Sequence, residues 1–508
     1  MKNDTPAFST SFCARVRRMG IDSGDNVVLY LDAAHPACAD EALVAGSRVH
    51  VSALGRTVTA QLNLVRDGGI GRGEAGLSEQ AWRRLGVAEG SEICLRPAAP
   101  AHSMPMVRSK IYGQDLSVEA ANAIVADIAA GLYTDIEIAA FVTACAGKRL
   151  KVEEVFALTG AMVQAGERLE WNGAPIVDKH CVGGLPGNRT TLLLVPIVAA
   201  CGLTIPKTSS RAITSPSGTA DAMETLAPVA LDMAAMRRVV EQEGGCIVWG
   251  GAVDLSPADD AIIRVSRPLD FDGEATMVAS VLSKKIAAGS SHVLIDIPVG
   301  PSAKVRSQKA ADSLIRLFLA VGQAYGLTVR AVTSDGSQPV GRGIGPALEA
   351  LDALAVLRNA PDAPQDLRAR ALALAGHLLE IGGKAPAGSG HALARATLDS
   401  GAALRKFEAI CAAQGGMRYP SAGILRHDVL ATRGGRVAAV DNRRIARVAK
   451  LAGAPQDPGA GVLFQAPLGK AVHAGDVLYT IHAQAPGPLS RAVSYADLHG
   501  DIIGIADQ

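Results

Sequence analysis

The sequence predicts an α/β protein with a strand-rich domain before the α/β part and an α+β domain after it. A length of 508 residues is too great for a single ordinary core and indicates several domains. Apolar runs and amphipathic helices alternate through the middle of the chain, whereas short alternating strands occur near both ends. Hydrophobic residues make up 48 % of the chain but Phe, Trp and Tyr only 4 %, so the predicted cores are mainly aliphatic.

The strand-rich N-terminal domain is predicted to span residues 1–103. Apolar and polar residues alternate over 24–66, which is typical of half-buried strands. A glycine-rich stretch follows, then a short helix at 78–85 and a last strand at 92–95. The Pro/Ala-rich run 97–105 indicates a linker to the rest of the chain.

A helical domain is predicted over residues 104–172. Ser117 can accept a hydrogen bond from the first turn of a helix. Thr134 and Glu137 have the spacing of a capping box, in which each side chain bonds to the backbone N–H of the other residue, and an apolar helical pattern follows them. The chain is therefore expected to be helical once the N-terminal domain ends.

The α/β domain is predicted over 173–420 and the C-terminal α+β domain over 421–508. The strand candidates of the α/β domain are 176–177, 246–249, 293–297 and 327–332, with an amphipathic helix at 310–325. This alternation of strands and helices indicates a parallel sheet with helices on both faces. Short strands return in the last domain, and 477–481 is the clearest of them.

Composition and pattern exclude several classes of protein. The 50 Lys and Arg residues balance 49 Asp and Glu residues, so the chain lacks the basic surface that binds nucleic acid. Eight cysteines form no CxxC pair and 11 histidines show no zinc-ligand spacing, so no metal site is predicted. The apolar stretch 192–203 is too short to span a membrane, and no apolar signal segment follows the N-terminal arginines. We therefore expect a soluble, cytoplasmic protein.

One segment, VDKHCVGGLPGNRTT at 177–191, has the composition of an anion-binding loop. Glycines let the backbone approach an anion closely, and the free N–H groups at a helix start point towards it. Lys179 adds a positive charge, and Thr190 and Thr191 add hydroxyl donors. A purely structural strand–turn–helix connection is the alternative, and a Walker loop is excluded because GxxxxGK[ST] is absent.

A second polar segment, KTSSRAITSPSGTAD at 207–221, lies between two apolar regions. Most of its residues carry hydrogen-bonding side chains, and Arg211 stands among hydroxyl groups. A phosphate or a sugar could use this combination, since guanidinium and hydroxyl groups bind oxyanions. A Ser/Thr-rich surface turn is the alternative, but two such segments in succession favour an oxyanion site.

These motifs resemble the thymidine/pyrimidine-nucleoside phosphorylase family. The resemblance lies in DKHxxGGxxGNRTT from 178, PKTSSRAITSPSGTAD from 206 and SxLSKK from 280, and it covers about residues 105–482. It is closest to the type 2 branch, which includes AMP phosphorylases and has an extra N-terminal domain. It implies a helical domain, extended by residues 257–290, that faces a large α/β domain across a cleft. It also implies a homodimer or a larger homo-oligomer.

The resemblance implies phosphorolysis of a nucleoside or a nucleoside 5'-monophosphate. Inorganic phosphate would attack the sugar C1 and displace the base, giving free base and a sugar 1-phosphate. This chemistry requires a held phosphate, tolerance of oxocarbenium-like charge and a proton donor for the base. It requires no metal and no cofactor besides phosphate as co-substrate.

The resemblance also implies which residues form the site. Phosphate would be bound by Lys179, Thr191, Ser209 and Thr219. The nucleoside or nucleotide would be bound by Gly184, Ser210, Arg211, Ala212, Ile213, Thr214, Ser215, Thr219, Arg264, Ser280, Lys284 and Lys304. Asp272 matches the proton donor of the family, and His180 matches a position near the sugar.

Some of these assignments have alternatives. Position 181 is Cys181 where the family has serine, and a thiol is a weaker hydrogen-bond donor. Asp270 competes with Asp272 for the acid role, and both could be solvated loop carboxylates. Arg264 matches a base-binding arginine only if one extra residue is allowed. Lys285 is expected to be solvated.

Three questions of function stay open at this point. Arg211 and Lys304 could pair with a 5'-phosphate, which favours a nucleotide over thymidine, but the cleaved base is not determined. A phosphoribosyltransferase, which shares the fold, would instead use a pyrophosphorylated sugar and depend on magnesium. A nucleotide-binding assembly protein without catalysis is the third possibility, and Cys181 is the only feature in its favour.

Overall fold

A computed structural model describes residues 11–24, 26–39, 43–147, 149–173, 175–212, 215–253, 255–269 and 273–507. The chain divides into two compact units, of which the first contains Met1–Cys145 and Ala261–Ser266 and the second Ala146–Asp260 and Arg267–Gln508. Each unit has a buried apolar cluster of its own. The division at Cys145 falls inside the predicted helical domain.

The first unit starts with six strands and a helix, β1 (Phe12–Arg18), β2 (Val28–Asp32), β3 (Arg48–Ala53), β4 (Arg56–Val65), β5 (Glu74–Leu77), α1 (Glu79–Leu85) and β6 (Glu92–Pro97). The strands close into a barrel in the order β1-β5-β2-β4-β3-β6. Leu29 and Leu31 of β2 and Val49 and Val51 of β3 are completely buried inside it. Because side chains of a strand alternate between two faces, this is the alternation that the sequence shows.

Three helices follow the barrel in the first unit, α2 (Met104–Ile111), α3 (Val118–Ala129) and α4 (Asp135–Cys145). Ser117 accepts a hydrogen bond from the Ala120 N–H at 3.2 Å, which confirms the predicted cap of α3. The Thr134 N–H donates to Glu137 Oε2 at 2.7 Å, and the Glu137 N–H donates to Thr134 Oγ1 at 3.3 Å. The predicted capping box at the start of α4 is therefore confirmed.

The second unit contains the parallel strands. Its elements up to residue 413 are α5 (Val152–Gln164), β7 (Val177–Cys181), α6 (Thr190–Ala200), β8 (Ile205–Ser209), α7 (Thr219–Glu224), α8 (Met233–Glu243), β9 (Gly245–Trp249), α9 (Pro257–Leu269, which the unit boundary crosses), α10 (Glu274–Ala287), β10 (His292–Val299), α11 (Gln308–Ala324), β11 (Thr328–Asp335), β12 (Gly343–Ile344), α12 (Pro346–Leu357), α13 (Gln365–Ile381), α14 (Gly390–Asp399) and α15 (Ala402–Ala413). The strands β7, β9, β10 and β11 and the helix α11 occur where the sequence predicts them.

Two groups of parallel strands make up this sheet. One group has the order β11-β10-β7 and the other contains β8 and β9. A single parallel bridge, between Ile176 and Thr204, joins the groups just before β7 and β8 begin. No further bridge connects β7 with β8 in the part of the chain that the structure describes.

The helix α6 packs at the centre of the largest apolar cluster. Its residues from Thr190 to Ala199 are all buried, and Leu192, Leu193 and Leu194 are completely so. A helix that is apolar on every side must be covered on every side. Helices α13 and α15 supply part of that cover, through residues such as Leu372, Leu378 and Phe407. The start of α6 is thereby fixed in place next to β7.

A third part of the chain ends the second unit with β13 (Leu425–Leu430), β14 (Gly435–Val440), α16 (Asn442–Leu451), β15 (Gly461–Phe464), β16 (Ala471–Val472), β17 (Val477–Ala483), α17 (Pro486–Leu498) and β18 (Ile503–Ala506). The strands form two antiparallel sheets, β12-β15-β17-β13 and β16-β14-β18. This is the α+β pattern predicted for the C-terminal region, and β17 contains the predicted strand.

Within the described residues, no helix has both the length and the apolar composition that crossing a membrane requires.

Candidate functional site

Most of the predicted site residues follow the carboxyl ends of parallel strands. The loop 182–189 leads from β7 to α6, the loop 210–218 leads from β8 to α7, and the loop 300–307 follows β10. Parallel strands end at the same edge of a sheet, and open α/β sheets bind their ligands at that edge. These three loops therefore define the candidate site.

Lys179 of β7 lies beneath the first loop and is only 2 % exposed. Its Nζ donates to Thr190 Oγ1 at 3.0 Å, in the first turn of α6, and lies 4.0 Å from Asp296 Oδ2. Thr191 is buried in the same turn. A buried ammonium group beside the free N–H groups of a helix start favours an anion at this position.

Glycines allow two close approaches in this loop. Gly184 has a φ of +79°, and a Cβ atom there would lie 2.9 Å from the Cβ of Lys304. Gly187 has a φ of +70°, and its Cβ would lie 2.1 Å from the carbonyl oxygen of Val340. Only glycine fits both the space and the left-handed backbone. The structure thus brings together Gly184 and Lys304, which the sequence assigned to the same ligand.

Asp221 joins the two ends of the second loop through hydrogen bonds. The Asp221 carboxylate accepts hydrogen bonds from the Ala212 N–H at 2.7 Å and from the Gly218 N–H at 2.8 Å. Ser209, the last residue of β8, is buried before this loop, and its Oγ has no hydrogen-bond partner among the described residues. A buried hydroxyl without a partner costs free energy that a bound ligand or a water molecule recovers. Ser209 therefore marks a position for a polar ligand.

Arg189 connects the two loops. Its guanidinium donates to Thr219 Oγ1 at 3.1 Å, and its Nε lies 2.8 Å from Glu349 Oε2 of α12. Glu349 is almost completely buried, and this burial raises its pKa to about 7 although Arg189 opposes the shift. The position of the Thr219 hydroxyl consequently depends, through Arg189, on Glu349, which is far from it in the sequence.

Three lysines and two aspartates are buried together behind the loops, namely Lys179, Lys207, Lys285, Asp178 and Asp296, and we call them the buried charge cluster. Lys285 Nζ donates to Asp178 Oδ2 at 2.6 Å, and Lys207 Nζ lies 3.6 Å from Asp178 Oδ1. Because the lysines outnumber the aspartates, one positive charge has no buried counter-charge when all five groups are ionised. A buried charge of this kind requires a partner, and an anionic ligand can provide it.

The surroundings shift the pKa of two groups in and beside the cluster. Loss of hydration lowers the pKa of Lys207 to about 7, and Lys285 and Lys179 act in the same direction while Asp178 opposes them. Burial and the neighbouring lysines also lower the pKa of His180 well below its usual value. The His180 imidazole is therefore neutral at pH 7 and can donate one hydrogen bond, but it is not an acid there.

Cys181 follows His180 at the end of β7. Its Sγ accepts a hydrogen bond from Asn188 Nδ2 at 3.3 Å. Burial and the charge of Asp296 raise the pKa of Cys181 to about 11, so the thiol stays protonated at neutral pH. It can still act as a weak donor in the place where the family has a serine hydroxyl.

Arg211 makes its contacts within the protein. Its guanidinium donates to both carboxylate oxygens of Glu224, at 2.5 and 3.0 Å, and to Asp221 at 3.2 Å. It also lies over the ring of Trp249, 4.8 Å from the ring centre. Arg211 would have to leave Glu224 in order to bind a ligand phosphate.

The structure describes some, but not all, of the other predicted site residues in the second loop. Ser210 and Ala212 lie at its start, and Ser215 Oγ donates to the Ser217 carbonyl oxygen at 2.7 Å. Ile213 and Thr214 lie outside the described residues.

Ser280 and Lys284 share one side of α10, as their spacing predicts. The Lys284 ammonium lies 3.5 Å from Ser280 Oγ and forms an ion pair with Asp259, which is buried. Burial by itself lowers the pKa of Lys284, but Asp259 and Asp260 outweigh it and raise the pKa. Lys284 thus carries its charge at neutral pH.

The structure describes only one of two further predicted site residues, Arg264 and Asp272. Arg264 of α9 belongs to the first unit, where it pairs with Asp135 at 2.8 Å and donates to Asn26 at 3.1 Å. Asp272, the predicted proton donor, and its competitor Asp270 lie outside the described residues.

The expectation that Lys285 is solvated was wrong. It is 3 % exposed and bonded to Asp178, because α10 carries its side chain into the buried charge cluster. Three further residues of this region, Lys207, Arg189 and Glu349, were not predicted as site residues. For Lys207 a signal was present, since it stands two positions before Ser209, and alternate residues of a strand face the same side. Nothing local indicates Glu349.

Comparison with protein-family models shows three matches. The model described as glycosyl transferase family, a/b domain, matches residues 173–404, and the helical bundle domain of the same family matches residues 104–166. The model described as pyrimidine nucleoside phosphorylase C-terminal domain matches residues 436–498. These matches confirm the predicted order of a helical, an α/β and a C-terminal domain.

Similar curated proteins match almost the whole chain, and several carry the name "Putative thymidine phosphorylase". The protein of this name from Polaromonas sp. is 57 % identical over 493 residues, which cover 97 % of this chain and 96 % of the relative. That from Hahella chejuensis is 54 % identical over 493 residues, which cover 97 % and 98 % of the two chains. Anthranilate phosphoribosyltransferase from Thermus thermophilus, a solved structure, matches 61 % of this chain and 98 % of its own, with 22 % identity and a TM-score of 0.49. This last match is too weak to bear on activity. The motifs, the three family models and the full-length relatives agree: the chain belongs to the thymidine/pyrimidine-nucleoside phosphorylase family and is an enzyme of the pentosyltransferase type.

Proposed function

We propose that this protein cleaves the N-glycosidic bond of a nucleoside or a nucleoside 5'-monophosphate with inorganic phosphate. The observation that supports this most directly is the buried charge cluster, with three lysines to two aspartates, together with the Ser209 hydroxyl, which has no hydrogen-bond partner among the described residues. An anion held there would satisfy both. We further propose that the protein works as a homodimer and needs no cofactor besides phosphate.

In the proposed reaction, Lys179, Thr191, Ser209 and Thr219 hold the phosphate. The ammonium group of Lys179 and the start of α6 attract the dianion, and the hydroxyl groups fix its orientation. A phosphate oxygen then attacks the sugar C1 while the bond to the base breaks. The phosphate charge stabilises the positive charge that develops on the sugar, which is the main electrostatic contribution that the site can make.

The departing base takes up negative charge and needs a proton or strong hydrogen bonds. His180 is neutral, so in this proposal it donates a hydrogen bond near the sugar and is not the acid. We assign the acid role to Asp272 on the family resemblance, and Ser280 and Lys284 to contacts with the base. Asp272→Asn should then lower kcat far more than Asp270→Asn, and equal losses would contradict the assignment.

We propose a 5'-monophosphate as the preferred substrate, as in the AMP phosphorylase-like branch. Lys304 supports this choice because its backbone lies against Gly184 beside the phosphate loop. Arg211 is held by Glu224 and Asp221 and would exchange these contacts for a 5'-phosphate.

The experiment is a panel of thymidine, uridine, cytidine, AMP, CMP and UMP, each with and without inorganic phosphate. We expect base release that requires phosphate, continues in the presence of EDTA, and disappears in Lys179→Ala. Lys309→Ala is the matched control, because Lys309 is an exposed lysine at the start of α11. Base release that requires magnesium and pyrophosphate would indicate a phosphoribosyltransferase instead. No phosphate-dependent base release from any substrate would reject the proposal.

A further inference from the structure

Two cysteines face each other on the outside of the N-terminal barrel. Cys13 of β1 is paired in register with Cys94 of β6. Their chain neighbours Ala14 and Ile93 point into the barrel and are buried, whereas Cys13 is exposed and Cys94 half-buried. The two thiols therefore share the outer face of the barrel, where small molecules in solution can reach them.

Their place in the strand ladder brings the thiols close together. The Val16 N–H donates to the Ser91 carbonyl of the chain leading into β6, whereas the Arg15 N–H donates to Gly73 on the opposite side, next to β5. The even-numbered residues of β1 thus make the hydrogen bonds towards β6, and Cys13 occupies a non-hydrogen-bonded position. At such positions the Cα atoms of an antiparallel pair are about 4.5 Å apart, which lies within the range that a disulfide spans.

The sulfur atoms are close enough to react with each other. They are 2.9 Å apart, whereas two thiolates on one tetrahedral zinc ion are separated by about 3.8 Å, given zinc–sulfur bonds of about 2.3 Å. Glu92 is the third potential metal ligand, and the three ligand atoms lie within 4.8 Å of one another. The shorter sulfur–sulfur distance favours a covalent bond between the cysteines over a shared metal ion.

We propose that Cys13 and Cys94 form a reversible disulfide that links the first and last strands of the barrel. The oxidant is a small disulfide such as oxidised glutathione. One cysteine thiolate attacks a glutathione sulfur and releases one glutathione thiolate, and the other cysteine then attacks the mixed disulfide and releases the second. Two electrons pass from the cysteine pair to glutathione, and the two cysteine protons end on the two glutathione thiols.

The reaction is expected to be slow at neutral pH. The hydrogen bond with Cys94, together with loss of hydration and the charge of Glu92, raises the pKa of Cys13 to about 11. Only the thiolate attacks a disulfide, so the exchange is best followed at about pH 8.5.

The test incubates the full-length protein with oxidised glutathione, then blocks free thiols under denaturing conditions and maps the peptides by mass spectrometry. We expect a peptide pair joined through Cys13 and Cys94, a mass loss of about 2 Da, and reversal by dithiothreitol. The barrel should also unfold at a higher temperature after oxidation, because the link closes a long loop.

Matched variants show whether the pair itself is responsible. Cys13→Ser and Cys94→Ser should each abolish the link, and because both positions face outwards, circular dichroism should show the fold unchanged. Cys38→Ser, in the same barrel, should form the link as well as the unchanged protein does, since Cys38 bonds to the Asp32 carbonyl and not to another thiol.

Two results would overturn the proposal. The first is a protein that carries single glutathione adducts on Cys13 or Cys94 but never the joined peptides. The second is a protein that, after incubation with zinc sulfate alone, retains one zinc ion through gel filtration and loses it in the Cys13→Ser and Cys94→Ser variants, which would identify a metal site instead.

Discussion

Lys207 is a buried lysine whose charge changes near neutral pH. It is buried on β8, with Asp178 on one side and Lys285 and Lys179 nearby, and its pKa is lowered to about 7. The unfolded chain has an ordinary lysine pKa, so between pH 7 and about 10.5 the unfolded state binds the additional proton. The free-energy cost of burying Lys207 is therefore greatest below pH 7 and disappears as the pH rises.

The charge of Lys207 should also control anion binding. Sulfate is a suitable probe because, unlike phosphate, it does not change its charge near pH 7. We expect the ratio of its affinity for the unchanged protein to its affinity for Lys207→Met to fall about tenfold between pH 6 and pH 8, as Lys207 loses the proton that attracts the anion. Isothermal titration calorimetry at several pH values measures this change.

The variant Lys207→Met provides the comparison. It should bind sulfate more weakly at pH 6 and should lose the part of the pH dependence that Lys207 causes. Glu349, whose pKa is also about 7, titrates in both proteins, so the difference between them isolates Lys207. Equal pH dependence in the two proteins would show that Lys207 does not face the anion.

Among individual residues, those that stand in recognisable sequence motifs were predicted as site residues. Residues that belong to the site only because of how the helices pack were missed. Lys179, Thr191 and Ser209 are recognisable because loops that bind anions combine lysine, hydroxyl groups and glycine within a short segment. Lys285 looks the same in the sequence as its neighbour Lys284, and only the packing of α10 makes Lys285 almost completely buried while Lys284 stays half-buried. Burial of a single lysine is a property of the fold and not of the local sequence.

At the scale of elements, the contact between α12 and the two loops is the most consequential. Glu349 of α12 holds Arg189 in the first loop, and Arg189 holds Thr219 at the start of α7. The helix α12 is thus connected through Arg189 to the start of α7. In the proposed function Glu349 and Arg189 are positioning residues, because neither needs to touch the phosphate.

The variant Glu349→Gln tests this contact. It should raise the KM for phosphate about tenfold, with little change in the KM for the nucleoside, because only the hold on Thr219 is weakened. The ratio of the variant's KM for phosphate to that of the unchanged enzyme should fall towards one below pH 7, where Glu349 takes up a proton in the unchanged enzyme. Steady-state kinetics from pH 6 to pH 8 measures both.

Glu153→Gln is the control, because Glu153 is an exposed glutamate on α5. It should leave both KM values unchanged. A Glu349→Gln enzyme that loses kcat at constant KM for phosphate would contradict the positioning role, and its melting curve shows whether the fold is affected.

The elements that the sequence missed share a physical cause. β1 contains Arg15, Arg17 and Arg18 and buries mainly Ala14 and Val16, so its apolar alternation is weak. β5 has only four residues and begins after a glycine-rich stretch. Both strands form because every strand of a closed barrel must pair with a neighbour on each side. This requirement comes from the closed sheet as a whole, so the local sequence of β1 or β5 does not show it. β8 was missed because its hydrophilic residues, unusually, are buried on both faces.

At the scale of the whole molecule, the two units have separate cores. The cluster around Leu29 and Val49 belongs to the first unit, and the cluster around α6 belongs to the second. The residues proposed to bind phosphate include Lys179, Ser209 and Thr219, and all three lie in the second unit. Stabilisation by a bound anion should therefore be confined to that unit.

Differential scanning calorimetry is expected to show two transitions, of which phosphate raises only one. At a concentration 100 times Kd, a bound ligand contributes about 2.7 kcal/mol, which corresponds to about 4 °C for a unit of this size. Lys207→Met should reduce the shift, and sodium chloride at equal ionic strength is the control. A single transition, or equal shifts of both transitions, would mean that the units unfold together.

The strands β7 and β8 are joined by one bridge, between Ile176 and Thr204, and buried lysines stand on both strands beyond it. Each backbone hydrogen bond that is missing between two strands lowers the free energy of unfolding by about 0.5–1.5 kcal/mol. A dianion between Lys179 and Lys207 would connect the two strands by charge where hydrogen bonds do not connect them. In the proposed function, phosphate would then also hold β7 and β8 together. The stiffness of the α/β domain would increase when phosphate binds and decrease when the sugar 1-phosphate leaves, once in every turnover.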